Sequence, residues 1–250
     1  MSKIRVGIVN YLNTAPLIYG LENGIIKDEI ELIPDYPSNL ARDLKNGHID
    51  LGLVPVAIIP DLDEWYLNGR YCIGCDGPVA SVCLFSEVPI EEVRTVLLDY
   101  QSRTSVQLAG ILIKEYWKLS PQMVAAGEGY RSQIKGTTAG LVIGDRSFEQ
   151  RQVSPYIYDL GEAWKAHTGL PFVFAAWVSN KPMTADFIEQ FDKANLVGLQ
   201  QLDKVIALHP YPLFDLHEYY TRFISYSFTL EKKKGLERFL HNFAPNLKFQ

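Results

Sequence analysis

The chain has 250 residues, of which 47% are hydrophobic and 21% are charged, and its formal net charge at pH 7 is -5. A chain of this length buries about three quarters of its unfolded surface, which is enough for one large core or two smaller ones. The negative net charge argues against nucleic acid as a partner, because binding through counterion release needs clustered cations. The composition is that of an ordinary globular protein.

The sequence carries no pattern typical of export or of membrane insertion. Polar residues follow the apolar residues 6–9 too closely for the core of a signal peptide, and no window approaches the ~20 uninterrupted apolar residues of a transmembrane helix. We therefore expect a cytoplasmic protein without a membrane partner. Three cysteines agree with that compartment, because an odd, small number in a long chain is not a disulfide framework.

Cys72 and Cys75 form a CxxC motif, but its surroundings do not favour metal or redox chemistry. A zinc site needs two more ligands, and the five histidines are scattered without a metal-binding spacing. A thioredoxin-like motif opens a helix, whereas Gly77 and Pro78 follow here almost at once. We expect no metal site and no redox function here, and we interpret these cysteines as small apolar residues near a turn.

Strand and helix patterns alternate along the first part of the chain. Strands are predicted at 4–9, 29–34 and 51–54, with helices opening at Thr14 and at Ser38 between them. This order is typical of an α/β fold with a parallel sheet and helices on both faces. Ligands of such sheets bind beyond the carboxyl ends of the strands, so the loops at 10–14, 54–56 and 76–78 are candidates for one cleft.

The rest of the chain predicts a second sheet and a helical end. Further strands are expected at 79–85, 95–99, 139–143 and 172–178, a helix after Ser102, and charged helices from about Thr184, with the basic run 232–234 on a solvated face. Crossovers near 85–89 and 172–180 divide the chain into a discontinuous first domain, 1–86 plus 179–250, and an inserted second domain, 87–178. The ligand cleft is expected between them.

Residues 102–105 offer a possible anion site at the start of a helix. Ser102, Arg103, Thr104 and Ser105 combine hydroxyls, a guanidinium and exposed backbone N–H groups at the positive end of a helix dipole. Such a group favours a carboxylate or a phosphate. The alternative is that Ser102 only caps the helix, since serine is a common capping residue.

Six segments occur in the order found in one enzyme family. They are 9–17, 47–56, 73–82, 102–106, 141–145 and 158–175. Together they resemble the chorismate dehydratases of the futalosine route to menaquinone, over roughly the first 180 residues. The resemblance implies an α/β, two-lobed, periplasmic-binding-protein-like fold of type II with a ligand cleft between the lobes. It also implies dehydration of chorismate to 3-[(1-carboxyvinyl)oxy]benzoate without a metal or an organic cofactor.

The resemblance also suggests roles for single residues. Asn13 is the residue expected to bind or polarise the departing hydroxyl, although an asparagine after a strand also suits a turn. Ser81 matches a position that contacts substrate, or it is a polar serine of a strand. Ser102, Thr104 and Ser105 are expected to bind one carboxylate.

Two charged residues keep open interpretations. Arg103 either reaches the bound anion or pairs with Asp99 or Asp145 and braces the fold. Asp145 follows a predicted strand end and is either structural or a general base, since a carboxylate beside a dianionic substrate is repulsive unless paired or protonated. A substrate carboxylate is a further candidate for the proton acceptor.

Two other functions compete with the dehydratase hypothesis. One is the 1,4-dihydroxy-6-naphthoate synthase of the same route, which shares the fold. The other is a solute-binding protein that carries a small anion without transforming it. The segments 102–105 and 169–171 favour the dehydratase over the synthase, and the lack of export and lipid-anchor signals weighs against the solute-binding protein.

Overall fold

A computed structural model describes residues 3–24, 26–247 and 249. Its strands are β1 (Ile4–Ile8), β2 (Ile30–Pro34), β3 (Leu51–Pro55), β4 (Tyr66–Cys75), β5 (Val82–Ser86), β6 (Thr95–Leu98), β7 (Gln122–Ala125), β8 (Thr138–Ile143), β9 (Tyr156–Asp159), β10 (Phe172–Ser179) and β11 (Ser225–Ser227). Its helices are α1 (Ala15–Asn23), α2 (Pro37–Lys45), α3 (Thr104–Ile111), α4 (Arg146–Arg151), α5 (Leu160–Thr168), α6 (Ala185–Leu199), α7 (Leu202–Leu208), α8 (Leu216–Glu218) and α9 (Leu230–His241). In this part of the chain, no helix combines the length and the apolar character needed to cross a membrane.

Six strands form the first sheet, in the order β11-β4-β10-β3-β1-β2. β1 lies parallel to β2 and β3, as the alternation of strands and helices predicts. All five residues of β3 are buried, which is typical of a central strand covered on both faces. β10 is antiparallel to β3 and β4, and the chain reaches it from the second sheet. The sheet is therefore mixed rather than parallel. We call this sheet with its helices the first lobe, and the second sheet with its helices the second lobe.

The second sheet has five strands, in the order β7-β6-β8-β5-β9. β6 pairs in parallel with β7 and β8, whereas β5 is antiparallel to β8 and β9. α3 follows β6 and continues as a π-helical turn, Leu112–Tyr116. The start of α3 therefore lies beyond the carboxyl end of β6, where ligands of such sheets bind.

Sheet membership corrects the two predicted crossovers. The chain leaves the first sheet after β4 and returns to it with β10, so the crossings are 76–81 and 169–171 rather than 85–89 and 172–180. The boundaries expected at 86/87 and 178/179 thus assign β5 and β10 to the wrong sheets. The reason is that a buried, mostly apolar strand has the same sequence signature in either sheet, and its partners are distant in sequence. The division into two domains stays a prediction.

Close helix packing braces the first lobe. A Cβ atom at Gly20 of α1 would lie 1.8 Å from the Ala194 carbonyl oxygen of α6, and one at Gly198 would lie 1.9 Å from the Pro16 carbonyl oxygen. Only glycine permits this backbone-to-backbone approach. α6 thereby holds α1, whose first turn follows the loop that carries Asn13.

The basic run at 232–234 is not a uniformly solvated face. Lys232 is buried, and its Nζ donates to the carbonyl oxygens of Ser225 and Ser227. Its Nζ also lies 3.7 Å from the Sγ of Cys72. The prediction was wrong for Lys232 because the carbonyls that receive the ammonium belong to β11, which the sequence pattern did not reveal.

Candidate functional site

A cavity lies between the two sheets and is lined from both lobes. Apolar side chains form much of its wall, including Leu53, Ile73 and Phe174 from the first sheet and Val82 and Ile143 from the second. Polar groups line it from both lobes, at the start of α3 in the second lobe and at the turn after β1 in the first, and we call these two places its ends.

One end of the cavity is the start of α3, and Ser102, Thr104 and Ser105 line it. The Oγ of Ser102 accepts the backbone N–H of Ser105 at 3.0 Å, as a capping serine does. The Oγ1 of Thr104 accepts the backbone N–H of Ala57 from the other lobe at 3.2 Å. The two interpretations of Ser102 are therefore compatible, because the residue caps the helix and faces the cavity.

The opposite end is formed by the 3₁₀ turn Leu12–Thr14, which follows β1. The Oγ1 of Thr14 donates to the carbonyl oxygens of Val9, at 2.5 Å, and of Tyr11, at 2.7 Å, which fixes the turn. Asn13 lines the cavity, and its buried Oδ1 has no hydrogen-bond donor within the described residues. A buried acceptor without a donor costs free energy unless a ligand supplies one.

Ser81 lies next to the cavity rather than in its wall. It is fully buried, while its neighbours Val79 and Val82 line the space. Its Oγ accepts the hydroxyl of Tyr219 at 2.6 Å. The residue is thus buried in a hydrogen-bonded position that adjoins the site.

The crossing segment before β5 is shaped by Asp159. Its carboxylate accepts the backbone N–H groups of Val79, at 3.1 and 3.0 Å, and Ala80, at 2.7 Å, and the same side chain caps α5. Ala80 adopts a left-handed conformation with a φ of 64°. This strained backbone persists because several hydrogen bonds determine it, and it brings Ser81 to the site.

Arg103 points away from the cavity. Its Nη1 lies 3.1 Å from the Oδ2 of Asp61, which belongs to the turn Val56–Asp61 of the other lobe, and both side chains are more than half exposed. Neither of the predicted partners, Asp99 and Asp145, is paired with it. Arg103 therefore connects the lobes at the surface.

Asp99 has a different partner and organises the second lobe. Its fully buried carboxylate accepts the Nη2 of Arg146 at 2.7 Å, the hydroxyl of Tyr130 at 2.9 Å and the backbone N–H of Ile143 at 3.2 Å. The sequence did not identify Arg146 or Tyr130, because their pairing depends on how β6 and β8 are placed. The network fixes the strand ends beside the cavity.

Asp145 connects the lobes instead of lining the central cavity. Its two carboxylate oxygens lie 3.2 and 3.3 Å from the backbone N of Leu12, which donates to them, and Leu12 precedes Asn13. Burial raises the pKa of Asp145 to about 6, against the lowering effect of that hydrogen bond and of Arg146. Of its two predicted roles, this geometry favours the structural one.

Tyr11 and Gln101 close the cavity from opposite lobes, and sequence reasoning missed both as site residues. The Tyr11 hydroxyl donates to the Oε1 of Gln101 at 2.8 Å, and both side chains line the space. Burial raises the pKa of Tyr11 above its usual value, so the hydroxyl stays neutral. Tyr11 lies within the segment 9–17 and Gln101 directly precedes the segment 102–106, which is the signal that could have identified them.

The described residues that line the cavity carry no formal charge at neutral pH. Attraction for an anion therefore has to come from hydroxyls, backbone N–H groups and the dipole of α3. The described residues also form no group of three or more His, Cys, Asp or Glu side chains that could hold a metal ion. The arrangement suits binding of a small, partly apolar anion and the stabilisation of charge by neutral dipoles.

Comparison with solved structures identifies the architecture. The fold is similar to that of a crystallised protein from Archaeoglobus fulgidus, with a TM-score of 0.75, 14% identity and coverage of 97% of both chains. It is also similar to the periplasmic aliphatic sulphonate-binding protein of Escherichia coli, with a TM-score of 0.65, 14% identity, and coverage of 98% of this chain and 93% of the other. The expected periplasmic-binding-protein-like fold is confirmed.

Sequence comparison identifies the family. A chorismate dehydratase of Thermus thermophilus is 26% identical over 82% of this chain and 83% of its own length. A chorismate dehydratase of Campylobacter jejuni is 25% identical over 94% of this chain and 95% of its own length. The family model described as menaquinone biosynthesis matches residues 4–244. The resemblance carried by the six segments is confirmed, and the chain belongs to this menaquinone biosynthesis family.

Proposed function

We propose that this protein is a chorismate dehydratase, which converts chorismate to 3-[(1-carboxyvinyl)oxy]benzoate with the loss of one water. The observation that carries the proposal is the cavity that faces Asn13 at one end and the start of α3 at the other. The family match and the two relatives that bear this name support the same activity.

The substrate and the cavity are chemically complementary. Chorismate has two carboxylates, a ring hydroxyl and a ring that becomes aromatic when water leaves. In the proposal, one carboxylate binds the hydroxyls and backbone N–H groups of Ser102, Thr104 and Ser105, and the ring lies against Ile73 and Phe174. Fixing the substrate in this way supplies several kcal/mol toward the barrier, since proximity and fixed dipoles each contribute at that scale.

Asn13 acts on the departing hydroxyl in this scheme. Its unpartnered Oδ1 accepts a hydrogen bond from the substrate hydroxyl and fixes the orientation of the C–O bond that breaks. Tyr11 is the titratable side chain in the described wall, and its raised pKa makes it a poor base. The ring proton therefore goes to a substrate carboxylate, and that proton leaves with the departing hydroxide as water, so the reaction balances without an added reagent.

The proposal extends to the protein's surroundings. The partner is the small molecule chorismate, and the proposed location is the cytoplasm. Cys72, Cys75 and Cys83 are buried free thiols, which agrees with a reducing compartment. No described feature of the cavity favours the 1,4-dihydroxy-6-naphthoate synthase or a solute carrier over the dehydratase.

The direct test incubates the purified protein with chorismate and follows the mixture by mass spectrometry and proton NMR. We expect a product that is lighter than chorismate by one water and that shows aromatic ring protons. A parallel sample without protein measures spontaneous breakdown. Chorismate that binds, by calorimetry, but is recovered unchanged would contradict the proposal and support a solute-binding protein.

A further inference from the structure

The C-terminal segment that follows α7 returns to the cleft and contacts three residues singled out as site candidates. It does so through the hydroxyls of three tyrosines. Tyr211 donates to the main-chain oxygen of Asp145 at 3.0 Å, Tyr219 to the Oγ of Ser81 at 2.6 Å, and Tyr226 to the main-chain oxygen of Asn13 at 2.9 Å. No sequence motif marks this segment.

Tyr219 is the most deeply placed of the three. It is fully buried, begins the π-helical turn Tyr219–Phe223, and packs edge-on against Phe148 with ring centroids 5.1 Å apart. Burial raises the pKa of Tyr219 well above its usual value, and the side chain of Asn13 lies near enough to lower it slightly. Its neutral hydroxyl therefore stands between Ser81 and Asn13.

Tyr226 is held in place by a separate set of contacts. It belongs to β11, which pairs with β4 at the edge of the first sheet. The buried ammonium of Lys232 binds the carbonyl oxygens on both sides of Tyr226, those of Ser225 and Ser227. The hydroxyl of Tyr226 is thus fixed relative to the sheet. Its hydrogen bond in turn holds the backbone at Asn13.

We propose that Tyr219 and Tyr226 are positioning residues that hold Ser81 and Asn13 in the arrangement required for dehydration; this inference rests on the proposed function. Neither tyrosine lines the cavity, so both act through other residues. Asn13 lies in the three-residue turn Leu12–Thr14, and its Oδ1 accepts no hydrogen bond from the described residues. The contacts of the turn itself therefore do not hold the carboxamide at that oxygen. Displacement of a reacting group by about 1 Å costs on the order of 100-fold in rate.

The test replaces each hydroxyl without removing its ring, in Tyr219→Phe and Tyr226→Phe. We expect kcat for chorismate to fall by about 10- to 100-fold in each variant while KM changes by less than about threefold, because the groups that bind the carboxylate are untouched. Tyr220→Phe is the matched control. Its buried hydroxyl lies in the same segment and has no hydrogen-bond partner among the described residues.

A second readout does not depend on turnover. Hydrogen exchange measured by mass spectrometry is expected to accelerate at residues 12–17 in Tyr226→Phe and at 79–83 in Tyr219→Phe, with no change at either segment in Tyr220→Phe. An unchanged kcat and unchanged exchange in Tyr219→Phe and Tyr226→Phe would overturn the positioning role, as would an equal loss of kcat in Tyr220→Phe. If the wild-type protein does not dehydrate chorismate, the proposed function fails, whereas the exchange data still test the positioning.

Discussion

The two ends of the cavity differ in how their polar groups are satisfied. At the start of α3, the Oγ of Ser102 accepts a backbone N–H of its own helix, and the Oγ1 of Thr104 accepts one from the other lobe. At the opposite end, the Oδ1 of Asn13 is buried without a donor. The first end is stable in the absence of ligand and suits binding. The second has a buried acceptor without a donor, and a substrate hydroxyl can donate the missing hydrogen bond.

This contrast separates substrate binding from the chemical step, and steady-state kinetics can test that separation. Changes at Asn13 should act on kcat, and changes at the start of α3 should act on KM. Changes at the contacts between the lobes should have smaller effects.

The largest effect is expected for Asn13→Ala. Removing the carboxamide takes away the group that acts on the departing hydroxyl, so kcat should fall by about 100- to 1,000-fold, as for the loss of an oxyanion-hole donor. KM should change little. Steady-state kinetics with chorismate measure both, and circular dichroism checks that the variant is folded. A fall in kcat below tenfold would mean that Asn13 is a turn residue without a catalytic role.

A large effect on KM rather than on kcat is expected for Ser105→Ala, which removes one hydroxyl at the start of α3. Loss of a hydrogen bond to a carboxylate weakens binding by about 1.5–3 kcal/mol, which corresponds to a rise in KM of about 10- to 100-fold. We expect kcat to stay within about threefold. The measurement is again steady-state kinetics, with Ser132→Ala, on an exposed turn of the second lobe, as control. An effect confined to kcat would reverse the assignment of the two ends.

Asp145 should produce a pH dependence of stability. Because burial raises its folded-state pKa from 3.8 to about 6, the protonated form is favoured in the folded protein. The stability that this group contributes is full below about pH 4 and is lost as the pH rises through 6. Urea unfolding of the wild type and of Asp145→Asn is the measurement. Relative to the wild type, the free energy of unfolding of the variant should rise by about 2 kcal/mol between pH 4 and pH 7. Parallel curves would contradict the raised pKa.

The smallest effect is expected for Arg103→Ala. Its ion pair with Asp61 joins two exposed side chains, and such pairs contribute about 0–1 kcal/mol. KM and kcat for chorismate should both stay within about threefold. A rise in KM above tenfold would show that the guanidinium reaches the bound anion when substrate is present. That result would place Arg103 with Ser102, Thr104 and Ser105.

The sequence predicted those parts of the fold that depend on local patterns. Pro16 near the first turn of α1, Gly24 at its end and the apolar strand at 51–54 lie where they were expected. Which sheet a strand joins was not predictable for β5 or β10. Both are mostly apolar, buried runs, and most of their ladder partners lie far away along the chain.

The candidate site shows the same limit. Residues that face the cavity, such as Asn13 and Ser105, lie in recognisable segments. The tyrosines of the C-terminal segment do not, because a hydroxyl that donates to a main-chain oxygen leaves no spacing rule in the sequence. The burial of Lys232 was not predictable for a similar reason, since its acceptors are carbonyl oxygens that only the folded β11 presents.

The central claim is that the start of α3 binds a carboxylate of the substrate and that Asn13 acts on its hydroxyl. The most direct test is a crystal structure of the protein with 3-[(1-carboxyvinyl)oxy]benzoate bound. We expect the product in the cavity, with one carboxylate within hydrogen-bond distance of Ser102, Thr104 or Ser105. The ring carbon that lost the hydroxyl should face the carboxamide of Asn13. A product that lies in the reverse orientation, or outside the cavity, would contradict the account.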